Sequence, residues 1–514
     1  ERIMPYTFSG GVKVAFRKDV VNCAVERLKA PAEIRVPLRQ CGEEECFPTV
    51  RIGERVNKGQ EIGKCKDGTG CPVHSGISGT VRDIVSVSLP DRRESGAIVI
   101  ENDYEDRLDP SVYPFGRSIK ETTPEQILET ARLKGICGNG REPLPLYRRI
   151  QCSLGKARRV IVNCTECEPF LSANRRLVLE QSEKIIGGAQ ILLKALGVRC
   201  GHLAVEDCFS EGMKALLKSD FDPDMFRICL VKSKYPQSDP RLLVAALFGR
   251  EILSSSSLAD SGYAVFDAVE CAALYDAFVS GMPMVERIVT VGGDGVAEPA
   301  NLSCPIGTPL ENLLLCCGLS ENCTLLLAGG SFSGVEVPNA GVPLVKNIPA
   351  VLAFNEAPER GRSGPDCIRC GRCVSACPMK LLPLELYRAA CKENLPAAER
   401  YLADCCSGCG CCSFVCPAGL DLTDKILKIQ GMLAEDRKKK QSSNGQLASS
   451  DQNTPESFPK APENAENDFA KDSSENTKEA PTVPANLQST LQSPSSDFSV
   501  SSEKFTKEEE EGHA

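Results

Sequence analysis

The chain has 514 residues, 42% of them apolar and 25% charged, with a net charge of −9. That length exceeds one ordinary domain, the acidic balance argues against bulk nucleic-acid binding, and three histidines with no tryptophan exclude a multi-histidine metal centre. The unusual feature is 28 cysteines, for which disulfides, metal or cluster ligation, and small apolar packing compete.

The start, Glu1-Arg2-Ile3-Met4-Pro5-Tyr6, has no apolar signal region. No apolar run reaches the roughly eighteen residues of a membrane span. The expectation is therefore a reducing interior, where clustered cysteines read as metal ligands.

From about residue 30 to 100 the chain reads as short strands around Gly turns, with alternation across Val50–Gly63 and again across Val73–Val81. Paired short strands of this kind predict a small flattened β-barrel. It resembles the barrel-sandwich domains of biotinyl and lipoyl carriers, without a carrier lysine at the hairpin tip. Cys41, Cys46, Cys65 and Cys71 bracket its hairpins. They are either a tetrahedral zinc (or other metal) site or thiols without a ligand.

From about 120 to 285 the rhythm becomes strand, helix, strand. Arg159–Asn163, His202–Glu206 and Phe226–Val231 are strand candidates, and Ile185, Gly188, Ala189, Leu192, Leu193 and Leu196 share one helical face. This predicts a parallel sheet covered by helices. Short strands return after residue 285, with a helix near Pro309 to Cys317, a small α+β module in which Cys316 and Cys317 read as core. The fold class is multidomain α/β.

The chemistry is carried by Cys367-x2-Cys370-x2-Cys373-x3-Cys377-Pro378 and Cys406-x2-Cys409-x2-Cys412-x3-Cys416-Pro417. Two-residue gaps let three thiolates converge on one corner of a cube with backbone N–H groups aimed at the sulfurs. The three-residue gap sends the fourth thiolate to the other cluster. Cys367, Cys370, Cys373 and Cys416 are thus expected to hold one [4Fe–4S] cluster, and Cys406, Cys409, Cys412 and Cys377 the second. Cys405 and Cys411 read as spare thiols. Two adjacent clusters make an electron wire. Beyond about residue 435 the chain is Ser-, Asn-, Pro-, Glu- and Lys-rich and is expected to be a disordered tail.

Several segments, in order, resemble the RnfC family: Thr7-Phe8-Ser9-Gly10-Gly11-Val12, Val73-His74-Ser75-Gly76-Ile77-Ser78-Gly79, Asn163-Cys164-Thr165-Glu166-Cys167-Glu168-Pro169-Phe170-Leu171, Lys234-Tyr235-Pro236-Gln237, Gly329-Gly330, and both cysteine runs. The resemblance covers about residues 5 to 430. RnfC is the peripheral subunit of the Rnf ion-translocating electron-transport complex and is similar to the NADH-oxidising flavin subunit of respiratory complex I. The resemblance implies a barrel-sandwich domain at 1–115, a Rossmann-like flavin domain at 116–284, a β-grasp module of the soluble-ligand-binding type at 285–355 and a helical two-cluster ferredoxin domain at 356–432, with the tail at 433–514.

It further implies electron transfer between NADH, FMN, the clusters and ferredoxin-like carriers, coupled to ion translocation. The partners would be integral-membrane and other subunits of an Rnf-type complex, with the chain peripheral on the cytoplasmic side of the membrane. Asn163 and Glu166 would lie beside the flavin, and Glu166 and Glu168 would orient the nicotinamide. The alternative is that these carboxylates cap the following helix. Gly135, Gly138 and Gly140 match the family's flavin-phosphate loop, but Arg141 and Glu142 replace its later small residues. Asp267-Ala268-Val269 stands where the family carries an Asn. These departures leave FMN and NADH binding open, against two alternatives: an iron–sulfur conduit without nucleotide, and a soluble RnfC-like reductase.

Overall fold

A computed structural model describes residues 4–15, 20–42, 44–66, 70–116, 119–140, 144–252, 256–356 and 367–447. Alternating apolar residues build the N-terminal barrel. Glu33–Pro37, Glu94–Asn102, Gly79–Ser88 and Arg55–Val56 form one antiparallel sheet in that order, and Phe47–Pro48, Glu61–Lys64 and Val73–His74 form the other. Ile34, Val36, Val56, Ile62, Val81, Ile98 and Ile100 fill the space between them. Every second residue of a strand faces the same way, so this alternation puts the apolar set inside.

Next comes a parallel sheet in the order Phe226–Val231, Gly201–Glu206, Arg159–Asn163, Tyr263–Asp267. Ile161, Val162, Val205, Val231 and Phe266 are almost fully buried, as expected for strands covered on both faces. The order runs one way from Arg159–Asn163 to Phe226–Val231, then reverses to Tyr263–Asp267. Between Asn163 and Asp267, at the carboxyl ends of these strands, lies the topological switch point, where such sheets bind ligands.

The following six-stranded sheet has the order Val25–Arg27, Ala300–Pro305, Glu286–Gly292, Ala350–Phe354, Leu325–Ala328, Val335–Glu336. Its edge strand, Val25–Arg27, comes from the N-terminal segment and pairs in parallel with Asn301–Ser303. A clean division at residue 115 therefore does not hold for this strand. Within the module Cys317 is buried but Cys316 is exposed, which corrects the reading of both as core.

The cysteine runs lie among short helices, Arg372–Ala376, Pro383–Cys391, Leu395–Arg400 and Cys411–Phe414, packed on the long helix Leu422–Leu447. Leu386, Ala398, Leu422, Ile426, Ile429 and Leu433 are their core. The ordered chain thus runs past the expected boundary at residue 433, because Leu433 completes an apolar face begun at Leu422. The remainder of the expected tail lies outside the described residues. Among the described residues no helix is long and apolar enough to cross a membrane.

Candidate functional site

The two cysteine runs repeat one backbone design. Arg369 and Gly408, just before each second cysteine, take positive φ, and so do Gly371 and Gly410, just after it. A short helix then starts beside each third cysteine. These turns aim amide groups inward. Arg369 N–H donates to Cys367 Sγ, Gly408 N–H to Cys406 Sγ and Leu381 N–H to Cys377 Sγ, each at 3.4 Å. Such bonds stabilise thiolate charge and set cluster potential.

The fourth cysteine of each run lies with the other run. Burial pushes the Cys406 thiol up to about 12, and the neighbouring thiols of Cys409, Cys412 and Cys377 add to the rise. Cys377, Cys406, Cys409 and Cys412 line one cavity, closed by Leu381, Leu386 and Ile426. The Cys373 thiol is raised first by burial and then by Cys367 and Cys416. Among the described residues no three His, Cys, Asp or Glu side chains converge on a single metal ion. A cubane spreads its thiolates more widely than one ion does, and four thiols lining one cavity suit it as a donor set.

The pocket of Cys377 abuts the parallel-sheet domain. Gly11 N–H donates to Ala376 O at 2.9 Å, and Val12 pairs with Tyr235 through both backbone bonds. Val12, Cys167, Tyr235, Ala376 and Cys411 form one apolar cluster, with Phe332 and Cys409 packed on it. Tyr235 stacks on Phe332 at 4.3 Å, and Phe332 meets Phe414 at 5.2 Å. Gly10 has φ +80°, and a Cβ there would lie 2.7 Å from Cys377 O. Gly10→Ala is therefore expected to cost at least about 1 kcal/mol from the left-handed backbone alone. The backbone clash adds to this and loosens the cysteine domain. Limited proteolysis should then cut between the two domains in this variant before the wild type.

At the switch point, Asp267 caps the helix Ala268–Val279 in a capping box with Glu270. Asp267 Oδ2 accepts from Asn139 N–H at 3.0 Å, and Asn163 Nδ2 lies 3.4 Å from Asp267 Oδ1. Glu270 is fully buried and takes two bonds of 2.7 Å from Arg149 Nη1. Burial drives its carboxyl up to about 7 in spite of Arg149.

Residues 6–105 match the RnfC barrel-sandwich hybrid domain, and residues 131–276 match the FMN-binding domain of the complex I 51 kDa protein. The C component of the proton-translocating ferredoxin:NAD(+) oxidoreductase complex of Clostridium ljungdahlii is 32% identical over 73% of this chain and 83% of that relative. The C component of the ion-translocating oxidoreductase complex of Rhodobacter capsulatus is 33% identical over 75% of each chain. This chain belongs to the RnfC family. A solved NAD+-reducing [NiFe]-hydrogenase is similar at a TM-score of 0.43, with 16% identity over 59% of this chain and 60% of that one.

A member of the RnfC family with a domain of the FMN-binding type invites a test of the flavin crevice. A phosphate there needs loop amides and positive charge to meet it. In this chain the Asn139 amide already serves a carboxylate, and Arg149 is taken by Glu270 and Val265 O. A Cβ on Gly138 would meet Asp267 Oδ2 at 2.8 Å and Glu270 at 2.9 Å. So arranged, neither the Asn139 amide nor Arg149 is free to meet a phosphate. Gly135 and Gly140 take positive φ, and Arg141 and Glu142 lie outside the described residues.

The acidic loop makes scaffolding contacts. Glu166 accepts from Asn174 N–H and Arg175 N–H at 2.9 and 3.1 Å, at the start of the helix Ala173–Glu180. That is the capping arrangement. Glu168 accepts from Phe332 N–H and Ser333 N–H at 3.0 and 3.1 Å, and so holds Phe332 between Tyr235 and Phe414. Asn163 Oδ1 accepts from the Thr165 hydroxyl at 2.7 Å. Cys164 and Cys167 are buried, in keeping with small apolar packing.

The four barrel cysteines do not form one site. Cys46 and Cys65 are joined as a disulfide, whereas Cys41 and Cys71 lie in a different apolar cluster with Cys137. This corrects the zinc-site expectation. The spacing suggested four ligands, but the hairpins point their cysteines two ways. Glu270 and Arg149 were missed by sequence reading, although Asp267-x2-Glu270 before an apolar run carries the capping-box signature.

Losing one member of a buried ion pair strands the other charge, at about 3–5 kcal/mol. Arg149→Met is expected to lower the melting temperature accordingly, by less at pH 5.5 than at pH 7.5. The folded carboxyl of Glu270 titrates above its unfolded value of 4.5. Its unfavourable contribution is therefore absent below pH 4.5 and grows as pH rises towards 7. Adding Glu270→Gln should restore most of the loss. Equal melting points for Arg149→Met and wild type would refute the pairing.

Proposed function

We propose that this chain is the electron-transferring RnfC component of an ion-translocating ferredoxin:NAD oxidoreductase complex, and that it carries electrons through two [4Fe–4S] clusters. The observation that carries this reading is the pair of cysteine runs, with Cys377 beside the second run and Cys416 beside the first. The relative from Clostridium ljungdahlii and the Na+-translocating relative from Acetobacterium woodii, 29% identical over 74% of this chain, bear that activity in their names.

Cys367, Cys370, Cys373 and Cys416 hold one cluster, and Cys406, Cys409, Cys412 and Cys377 the other. The second cluster is the inner one, because Cys409 and Cys411 pack against Cys167 and Tyr235. The first faces outward, with Cys370 exposed, and is the exchange point with ferredoxin-like carriers or other members of the complex. Membrane association is peripheral, through those partners. The six-stranded module is read as a soluble-ligand-binding β-grasp and the parallel-sheet domain as the place of FMN and NADH in the family. Gly135, Gly138, Gly140, Asn163, Glu166 and Glu168 are the corresponding positions here.

The carboxylate at Asp267 favours a second reading, an iron–sulfur conduit that receives its electrons without a tightly held flavin. Anaerobic purification followed by iron and sulfide analysis tests the cluster assignment. About eight irons per chain are expected, and about four would overturn it.

A further inference from the structure

Cys41, Cys71 and Cys137 come from three separate segments and meet in one buried group. Cys137 Sγ lies 3.0 Å from Cys41 Sγ, and Cys71 hydrogen-bonds Cys41. Lys346 reaches into the same group. Its Nζ donates to Gly135 O at 2.7 Å and to Pro72 O at 3.1 Å, and lies 3.7 Å from Cys71 Sγ. Exposure is 4% for Cys41, 2% for Cys71, 0% for Cys137 and 1% for Lys346. Among the described residues no carboxylate pairs with Lys346. A buried ammonium without a carboxylate calls for another anion.

Cys71 is the thiol nearest this ammonium, its Sγ 3.7 Å from Lys346 Nζ and 3.3 Å from Gly135 O. The hydrogen bond with Cys41 is the strongest influence lowering it, and Lys346 adds to the effect against the opposing pull of burial. Burial and its thiol neighbours push Cys41 the other way. The group thus sets one sulfur beside the lysine ammonium, a second thiol bonded to it, and a third thiol in sulfur contact with the second. A lysine beside a cysteine favours its thiolate, and burial opposes it. Three sulfurs that do not converge on an ion, two of them in contact, are disposed for sulfur–sulfur chemistry.

We propose that Cys71, Cys41 and Cys137 form a peroxide-responsive dithiol centre, with Cys71 as the attacking thiolate and Lys346 as the residue that positions it. The Cys71 sulfur attacks one oxygen of hydrogen peroxide. An S–O bond forms, the O–O bond breaks, and hydroxide leaves. The Cys41 sulfur then attacks the Cys71 sulfenic sulfur. The S–S bond forms, the S–O bond breaks, and the departing hydroxyl takes the Cys41 proton as water. Cys137 next gives its proton to the hydroxide and attacks Cys41 Sγ, which releases Cys71 as thiolate beside Lys346. In sum two thiols lose two electrons and two protons, and one peroxide becomes two waters. The product joins Cys41 of the barrel to Cys137, the neighbour of Gly138 at the switch point.

The test uses the full-length chain, purified anaerobically, treated with hydrogen peroxide, alkylated under denaturing conditions and mapped by peptide mass spectrometry. Peptide linkage is read independently of cluster content. The expected result is a dithiothreitol-reversible Cys41–Cys137 link. Cys137→Val should stop the sequence at a Cys41–Cys71 link, and Lys346→Gln should slow linkage about tenfold or more. The proposal is overturned if all three cysteines are recovered alkylated after exposed Cys23 and Cys152 have been oxidised. It also fails if Lys346→Gln links at the wild-type rate. Should that variant not fold, an absent Cys41–Cys71 link in Cys137→Val is decisive against it.

Discussion

Cys416→Ala is expected to remove the cluster held by Cys367, Cys370 and Cys373 and to spare the one held by its sequence neighbours. Iron should fall from about eight to about four per chain, or to a damaged three-iron centre at the outer site. The reason is geometric. Cys416 acts on Cys373 together with Cys367, whereas Cys377 lines the cavity of Cys406, Cys409 and Cys412. Cys377→Ala should give the mirror result and strip the inner cluster. The two variants also differ in consequence. Loss of the inner cluster cuts the path beside Tyr235 and Phe332, while loss of the outer one leaves internal reduction intact and blocks exchange with an external carrier. EPR of the reduced proteins distinguishes them. If Cys416→Ala loses the signal of the Cys406, Cys409 and Cys412 centre and keeps the other, the crossed ligation is wrong.

The cysteine runs were legible because their geometry is local. Each two-residue gap and each positive-φ turn is written within a dozen residues, and the Pro after the fourth cysteine fixes the exit. The strands of the parallel sheet were legible for a similar reason, as short apolar runs between helical faces. What escaped was long-range. Nothing in Val25–Arg27 announces a parallel partner at Asn301–Ser303. Cys41 and Cys71 looked like partners of Cys46 and Cys65 because they are near in sequence, yet Cys41 meets Cys137, which only the packed domains bring close. Lys346 offered a faint signal, a lone charge in the apolar stretch Val342–Ile348, and it is among the largest fully buried side chains of the chain.

Glu166 and Glu168 have a structural role besides the one the motif implies. The pattern was recognised from its order with Asn163 and Pro169, and both carboxylates are indeed held in fixed geometry. What they hold is protein. One caps a helix and the other anchors the loop that carries Phe332. A motif shared with flavin enzymes thus supports the seam between the parallel-sheet domain and the cysteine domain.

Asp267→Asn is expected to raise flavin retention sharply over wild type, which should come through anaerobic purification with far less than one FMN per chain. A phosphate brought to the Asn139 amide meets the Asp267 carboxylate already bonded there at 3.0 Å. Two like charges at about 4 Å cost about 1 kcal/mol in water and about 4 kcal/mol at a partly buried site. Removing one should tighten FMN binding between about fivefold and several hundredfold. Asparagine still caps a helix, so the segment Ala268–Val279 should survive the change. The readout is equilibrium titration of apo-protein with FMN, followed by flavin fluorescence, which does not depend on the clusters. A wild-type chain that already holds one FMN tightly, with Asp267→Asn making no difference, would return the crevice to the ordinary flavin-binding role. The conduit reading would then fall while the two-cluster assignment stood.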